Sequence, residues 1–199
     1  MRAMTTRYAV RAVRAHEWRE ARALRLAALS DEAAAVAFLT TYAEASTRSD
    51  DFWADQTHAS SVDAGEGAGA RLFVAVTTTG DWVGSVVALV HRGGDTDTDS
   101  GGAGVEEASG YVAAVYVAPE HRGRGVLADL LAAATDWLRA RGLARARLHV
   151  HTANLRARRA YEKAGFVATG VQVTAVNGPE LEMELPLSGE PSRSWGRPR

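Results

Sequence analysis

The run Val115-Tyr116-Val117-Ala118-Pro119-Glu120-His121-Arg122-Gly123-Arg124-Gly125-Val126-Leu127-Ala128 is where the residue types and their spacing point to chemistry. A β-type run leads in, two glycines alternate with two arginines, and an amphipathic helical pattern leads out. The first N–H groups of a helix have no intrahelical partner, so a helix start can hold an anion. Gly123 and Gly125 carry no side chain to keep a bulky diphosphate away from those groups. Arg122 and Arg124 add positive charge at the same place, and Val126, Leu127 and Ala128 form the first helical turn. The plain alternative is a tight turn beside two solvated arginines; the strand before and the helix after favour the anion site. No Gly-Lys-Ser/Thr follows, which excludes a Walker phosphate loop, and the dinucleotide fingerprint fails at Ala128.

A second constellation lies downstream. Asn154 is followed seven residues later by Tyr161, and then by Gly165-Phe166. A gap of seven is about two helical turns, so Asn154 and Tyr161 fall on roughly one face of a helix that starts at Asn154. Asparagine is also a good N-cap, and a tyrosine there can simply pack, so both residues have a structural reading beside the functional one.

These residues need a scaffold, and the hydrophobic patterning supplies it. Tyr8–Val13 reads as a strand, His16–Leu29 and about Asp31–Ala45 as helices, and Asp51–His58 as one or two further helical turns. Arg71–Val76 and Trp82–His91 form a hairpin about Thr79-Gly80-Asp81. Gly93–Ser109 is a long polar loop carrying Asp95, Asp97, Asp99, Glu106 and Glu107. Tyr111–Val117 is a strand, Gly125–Arg141 a helix stopped by Gly142, Arg145–His151 a strand and Leu155–Ala164 a helix. Phe166–Val176 and Glu180–Leu187 are final strands about Asn177-Gly178-Pro179. The order predicts a mixed α/β sheet with helices on both faces, in one domain over 1–187 with a polar, disordered tail over 188–199.

Bulk properties set limits. The 199 residues suffice for one sizeable core. A formal net charge of −1 gives no reason to expect nucleic acid or an anionic membrane as partner. The absence of cysteine removes disulfides, thiolate metal ligands and a thiol nucleophile together. No apolar run approaches the roughly 20 residues of a membrane span, and no signal-peptide core is evident, so a cytoplasmic protein is expected.

The two constellations together resemble motifs of the GNAT family of N-acetyltransferases. Arg122-x-x-Gly125 matches the family's Arg/Gln-x-x-Gly-x-Gly/Ala, with Leu127 departing from the final small position. Asn154, Tyr161 and Gly165-Phe166 match a second motif behind the fifth strand. Arg25–Leu29 and Ala37–Glu44 are a weaker echo of acceptor-side helices. The resemblance implies a mostly antiparallel sheet of six to seven strands whose fourth and fifth strands splay apart around acetyl-CoA as co-substrate, with no metal. It implies that Val115 and Val117 hydrogen-bond the pantetheine and that the loop from Arg122 to Ala128 holds the pyrophosphate. Asn154 would bind near it, Arg156 and Arg159 either reach phosphates or stay solvated, and the Val117 amide would steady the oxyanion. Tyr161 would protonate the departing thiolate.

The acceptor implied is an amine-bearing small molecule or a peptide, and a homodimer stays open. No Asp or Glu occurs from Gly110 to Pro119 to act as base; His149, His151, Glu106, Glu107 and water remain candidates. The alternative activity is a non-catalytic acyl-CoA sensor, which Leu127 and the missing strand carboxylate keep in view.

Overall fold

Valine-rich runs become strands and Ala/Leu/Arg runs become helices in the computed structural model, which describes residues 8–91 and 108–187. The acidic run at 95–107, with Glu106 and Glu107, and the tail at 188–199 lie outside those residues. The strands are β1 (Tyr8–Ala12), β2 (Ala70–Thr77), β3 (Trp82–His91), β4 (Ser109–Val117), β5 (Arg145–His151), β6 (Val167–Ala175) and β7 (Gly178–Pro186). The helices are α1 (Trp18–Leu29), α2 (Tyr42–Ser46), α3 (Asp50–Ala59), α4 (Val126–Arg139) and α5 (Leu155–Lys163).

Two regions depart most from the sequence reading. The helix expected over Asp31–Ala45 is broken into a 3-10 turn at Ala34–Val36 and the short α2. Asp31 turns its carboxylate onto the Ala33 N–H at 3.0 Å, a local bond that competes with helix. Thr41 and Glu44 then form a capping box that restarts the helix. The final turn falls at Val176-Asn177 because Gly178 and Pro179 already belong to β7.

The sheet runs β1-β2-β3-β4-β5-β7-β6, antiparallel throughout except between β4 and β5. That parallel pair meets only at Gly110↔Ala146 and Tyr111↔Arg147. Past Tyr111 the two strands part. A bulge helps: the register against β3 slips between Ser85 and Val87, and Ala114 takes φ +49°. A bulged residue adds twist and bends its strand.

Helices cover both faces. Leu130, Leu131, Ala134 and Leu138 of α4 are buried against one face, with Val86, Val112, Leu148 and Met183. Leu24 and Ala28 of α1 pack with Val74 and Tyr116 on the other. Burying one such leucine contributes about 1.5–3 kcal/mol. Gly110 lets α4 sit this close, since a Cβ there would stand 2.7 Å from Leu138 Cδ1. The β4–β5 contact is thus clamped from the α4 side, and the opening lies beyond it.

Candidate functional site

Where β4 and β5 diverge, a cavity of about 600 Å³ opens between them. That lies within the ~300–1,000 Å³ usual for small-molecule pockets. Its walls are the β4 stretch Val112–Val117, the end of β5, the loop before α4, the inner face of α5 and the 31–38 segment. Among the described residues, the β4 edge has no strand partner on this side past Tyr111. An unpaired strand edge offers alternating N–H and C=O groups to an extended ligand.

The loop at one end of the cavity has the geometry an anion needs. Gly123 and Gly125 adopt φ +73° and +89°, conformations that L side chains rarely take. Gly125 is the residue before α4, no side chain among the described residues caps this helix, and the first intrahelical bond runs from Asp129 N to Gly125 O at 3.1 Å. The N–H groups of Val126, Leu127 and Ala128 therefore lack helical acceptors. Gly123, Gly125, Leu127 and Ala128 line the cavity. The Val126 side chain is buried in the core beneath α4, and Arg124 is exposed outside the cavity lining. Leu127 packs against the core cluster, so it is accommodated without sealing the loop.

Arg122 lines the cavity but is already engaged. Its Nε donates to the Val117 carbonyl at 2.9 Å and its Nη2 to Asp31 at 2.5 Å. The pair ties the loop to the segment after α1, and its charge is largely balanced by a carboxylate that is only 5% exposed.

Asn154 is the N-cap of α5: its Oδ1 accepts from Ala157 N at 3.1 Å, while its Nδ2 donates to Val36 O at 3.4 Å. It lines the cavity as well, so the capping and lining roles coincide. Tyr161 lies along the same helix face, 7% exposed, its ring edge-on to Phe166. Burial pushes its phenol well above the ordinary tyrosine range, which keeps the proton in place at neutral pH.

The histidines are held by neighbours. The His151 Nδ1 accepts from Ala153 N at 3.1 Å, which leaves Nε2 to donate to Asn177 O at 3.1 Å. Both ring nitrogens are thereby engaged by backbone groups. His149 Nδ1 is 2.7 Å from the Tyr111 hydroxyl, and its Nε2 faces Glu182 at 3.9 Å.

Two cavity carboxylates stand outside the residues singled out from sequence, Asp31 and Glu180. Their signal was weak. Asp31 sits in a stretch that reads as helix, and Glu180 alternates with Glu182 and Glu184 as on any polar sheet face. Among the described residues, no group of His, Asp or Glu could hold a metal ion, and no helix is long and apolar enough to cross a membrane.

The sequence matches the model of the acetyltransferase (GNAT) family over residues 28–166. No curated protein matches it. Among solved structures, nourseothricin acetyltransferase is 32% identical over 60% of this chain and 66% of that one, at a TM-score of 0.48. This chain thus spans just under two thirds of that protein's length. YncA of Salmonella typhimurium, solved with acetyl-CoA, is 18% identical over 95% of this chain and 99% of that one, at a TM-score of 0.67. The spermidine N-acetyltransferase of Vibrio cholerae, in complex with CoA and spermine, is 19% identical over 91% and 96%, at 0.56.

Proposed function

The chain belongs to the GNAT family of acetyltransferases, and from that premise we propose that it moves an acetyl group from acetyl-CoA to a primary amine by direct attack. The observation that carries this reading is the fork. A strand edge without a partner among the described residues runs along a cavity that ends at a helix start with free N–H groups. An extended pantetheine needs the first feature and a pyrophosphate the second.

On this reading Val115 and Val117 offer backbone groups to the pantetheine, and the 122–128 loop takes the pyrophosphate. Its main donors are the N–H groups of Val126, Leu127 and Ala128; Arg122 shapes the loop through Asp31 and Val117. The Val117 amide steadies the charge developing on the thioester oxygen. Tyr161, kept protonated by burial, gives its proton to the leaving thiolate. Acetyl-CoA as donor is supported by the structural neighbour that holds it, and a small cationic amine by the neighbour that holds CoA and spermine.

The test is release of free thiol from acetyl-CoA in the presence of primary amines, with acetyl-CoA binding measured separately. Release that depends on both protein and amine is expected. Tight acetyl-CoA binding without release across amino sugars, polyamines, monoamines and peptides would instead establish an acyl-CoA sensor.

A further inference from the structure

The reaction needs a group to take a proton, because an amine is mostly ammonium at neutral pH and has no lone pair to attack with. Among the described residues, two carboxylates line the cavity. Asp31 is spent on Arg122 and on the Ala33 N–H. Glu180 has no hydrogen bond or ion pair to its side chain among the described residues. The next glutamates on the same face of β7 are committed, Glu182 to Thr169 at 2.9 Å and Glu184 to Arg147 at 2.9 Å. Glu180 is thus the one carboxylate of its row left to the cavity.

Resting on the acetyl-transfer reading above, we infer that the Glu180 carboxylate receives the acceptor's ammonium group and takes its proton, which selects cationic amines as substrates. The surroundings agree. On β5, His151 stands directly opposite Glu180 in the strand register, and both of its ring nitrogens are engaged by backbone groups. His149 is two residues along and lies by Tyr111 and Glu182. Strand β6 brings no titratable group. Arg156, Arg159 and Lys163 line the cavity from α5 without pairing with Glu180. Burial raises the Glu180 carboxyl above the ordinary glutamate range, and His151 offsets this only partly. A base with a raised pKa takes a proton more readily.

The step balances as follows. The ammonium gives one proton to Glu180, which later passes it to solvent. The freed nitrogen lone pair forms the N–C bond, and the C–S bond breaks with its electrons on sulfur. Tyr161 protonates that sulfur and is restored by the second proton shed from nitrogen. The products are the amide, CoA thiol and one released proton.

The test compares wild type with E180Q and E180D, using spermine and an amino sugar between pH 6 and 10. At pH 7, kcat/KM for E180Q should fall by about 100-fold, with acetyl-CoA affinity unchanged. The defect should shrink as the pH rises and the amine loses its proton unaided, and E180D should be intermediate. E180Q within about threefold of wild type at pH 7 would overturn the assignment, as would a loss equal at every pH. Wild type that binds acetyl-CoA yet releases no thiol with any amine would overturn the acetyl-transfer reading, and Glu180 with it.

Discussion

Tyr161 and Arg122 are both prominent in the sequence, but the fold employs them differently. Tyr161 is sunk in the cavity wall at the inner face of α5, where loss of its hydroxyl removes little besides a proton. Tyr161→Phe should lower kcat by about 10²-fold or more and leave the acetyl-CoA Kd within twofold, as read by steady-state thiol release and by titration. Unchanged turnover would end the general-acid role. Arg122 has the charge a phosphate contact wants, yet its side chain holds Asp31 and the Val117 carbonyl. Burial by itself would raise the Asp31 carboxyl; the Ala33 N–H and Arg122 outweigh it and bring it below the ordinary aspartate range. The sign follows from linkage. A carboxyl lowered on folding adds stability that is complete above its unfolded pKa of about 3.9 and is lost as pH falls through the lower folded value. Urea unfolding of Asp31→Asn should show reduced stability at pH 7 and a shallower loss below about pH 4. Arg122→Ala leaves the carboxylate without its ion-pair partner and should cost about 1–3 kcal/mol. A wild-type acid limb in both variants would show that the pair does not couple folding to pH.

At the scale of elements, the meeting of β4 and β5 decides whether there is a site at all. Gly110 is in the first of the two paired steps, with Leu138 of α4 pressed over it and the Arg145 carbonyl 3.1 Å from where a Cβ would sit. Gly110→Val should force Leu138 and β5 outward and cost about 1–3 kcal/mol, the usual range for overpacking; wild-type Tm and turnover would show that the fork tolerates a side chain there. This junction also marks how far the sequence could be read. The loop at 122–128 and the Asn154–Tyr161 helix were legible because their signals are local: glycines before a helix, a cap, a two-turn spacing. The strands were legible too, apart from a residue or two at their ends. Asp31–Ala45 was misread as helix because the Asp31 carboxylate bonds the Ala33 N–H, and its other partner, Arg122, lies 91 positions away. Glu180 was missed for a similar reason. Three alternating glutamates look alike until the partners of β7 are known, and those partners come from β5 and β6.

For the molecule as a whole, the cavity is also a seam. The segment after α1 and the carboxy-terminal half touch across it through Arg122–Asp31, Asn154 Nδ2 to Val36 O at 3.4 Å and Asn177 Nδ2 to Ala35 O at 3.3 Å. A ligand lying along β4 with its phosphates on the 122–128 loop adds contacts that the unfolded chain cannot make. A ligand bound only by the folded state stabilises it by about 2.7 kcal/mol at a hundredfold excess over Kd. For a domain of this size that is a Tm rise of about 5–10 °C. Acetyl-CoA should produce such a rise in wild type. Gly125→Val should abolish most of it, because φ +89° disfavours valine and the loop must change shape to accept it. Glu180→Gln should keep the rise intact, since Glu180 serves the acceptor and not the nucleotide. An equal rise in wild type and Gly125→Val would place acetyl-CoA somewhere other than this fork.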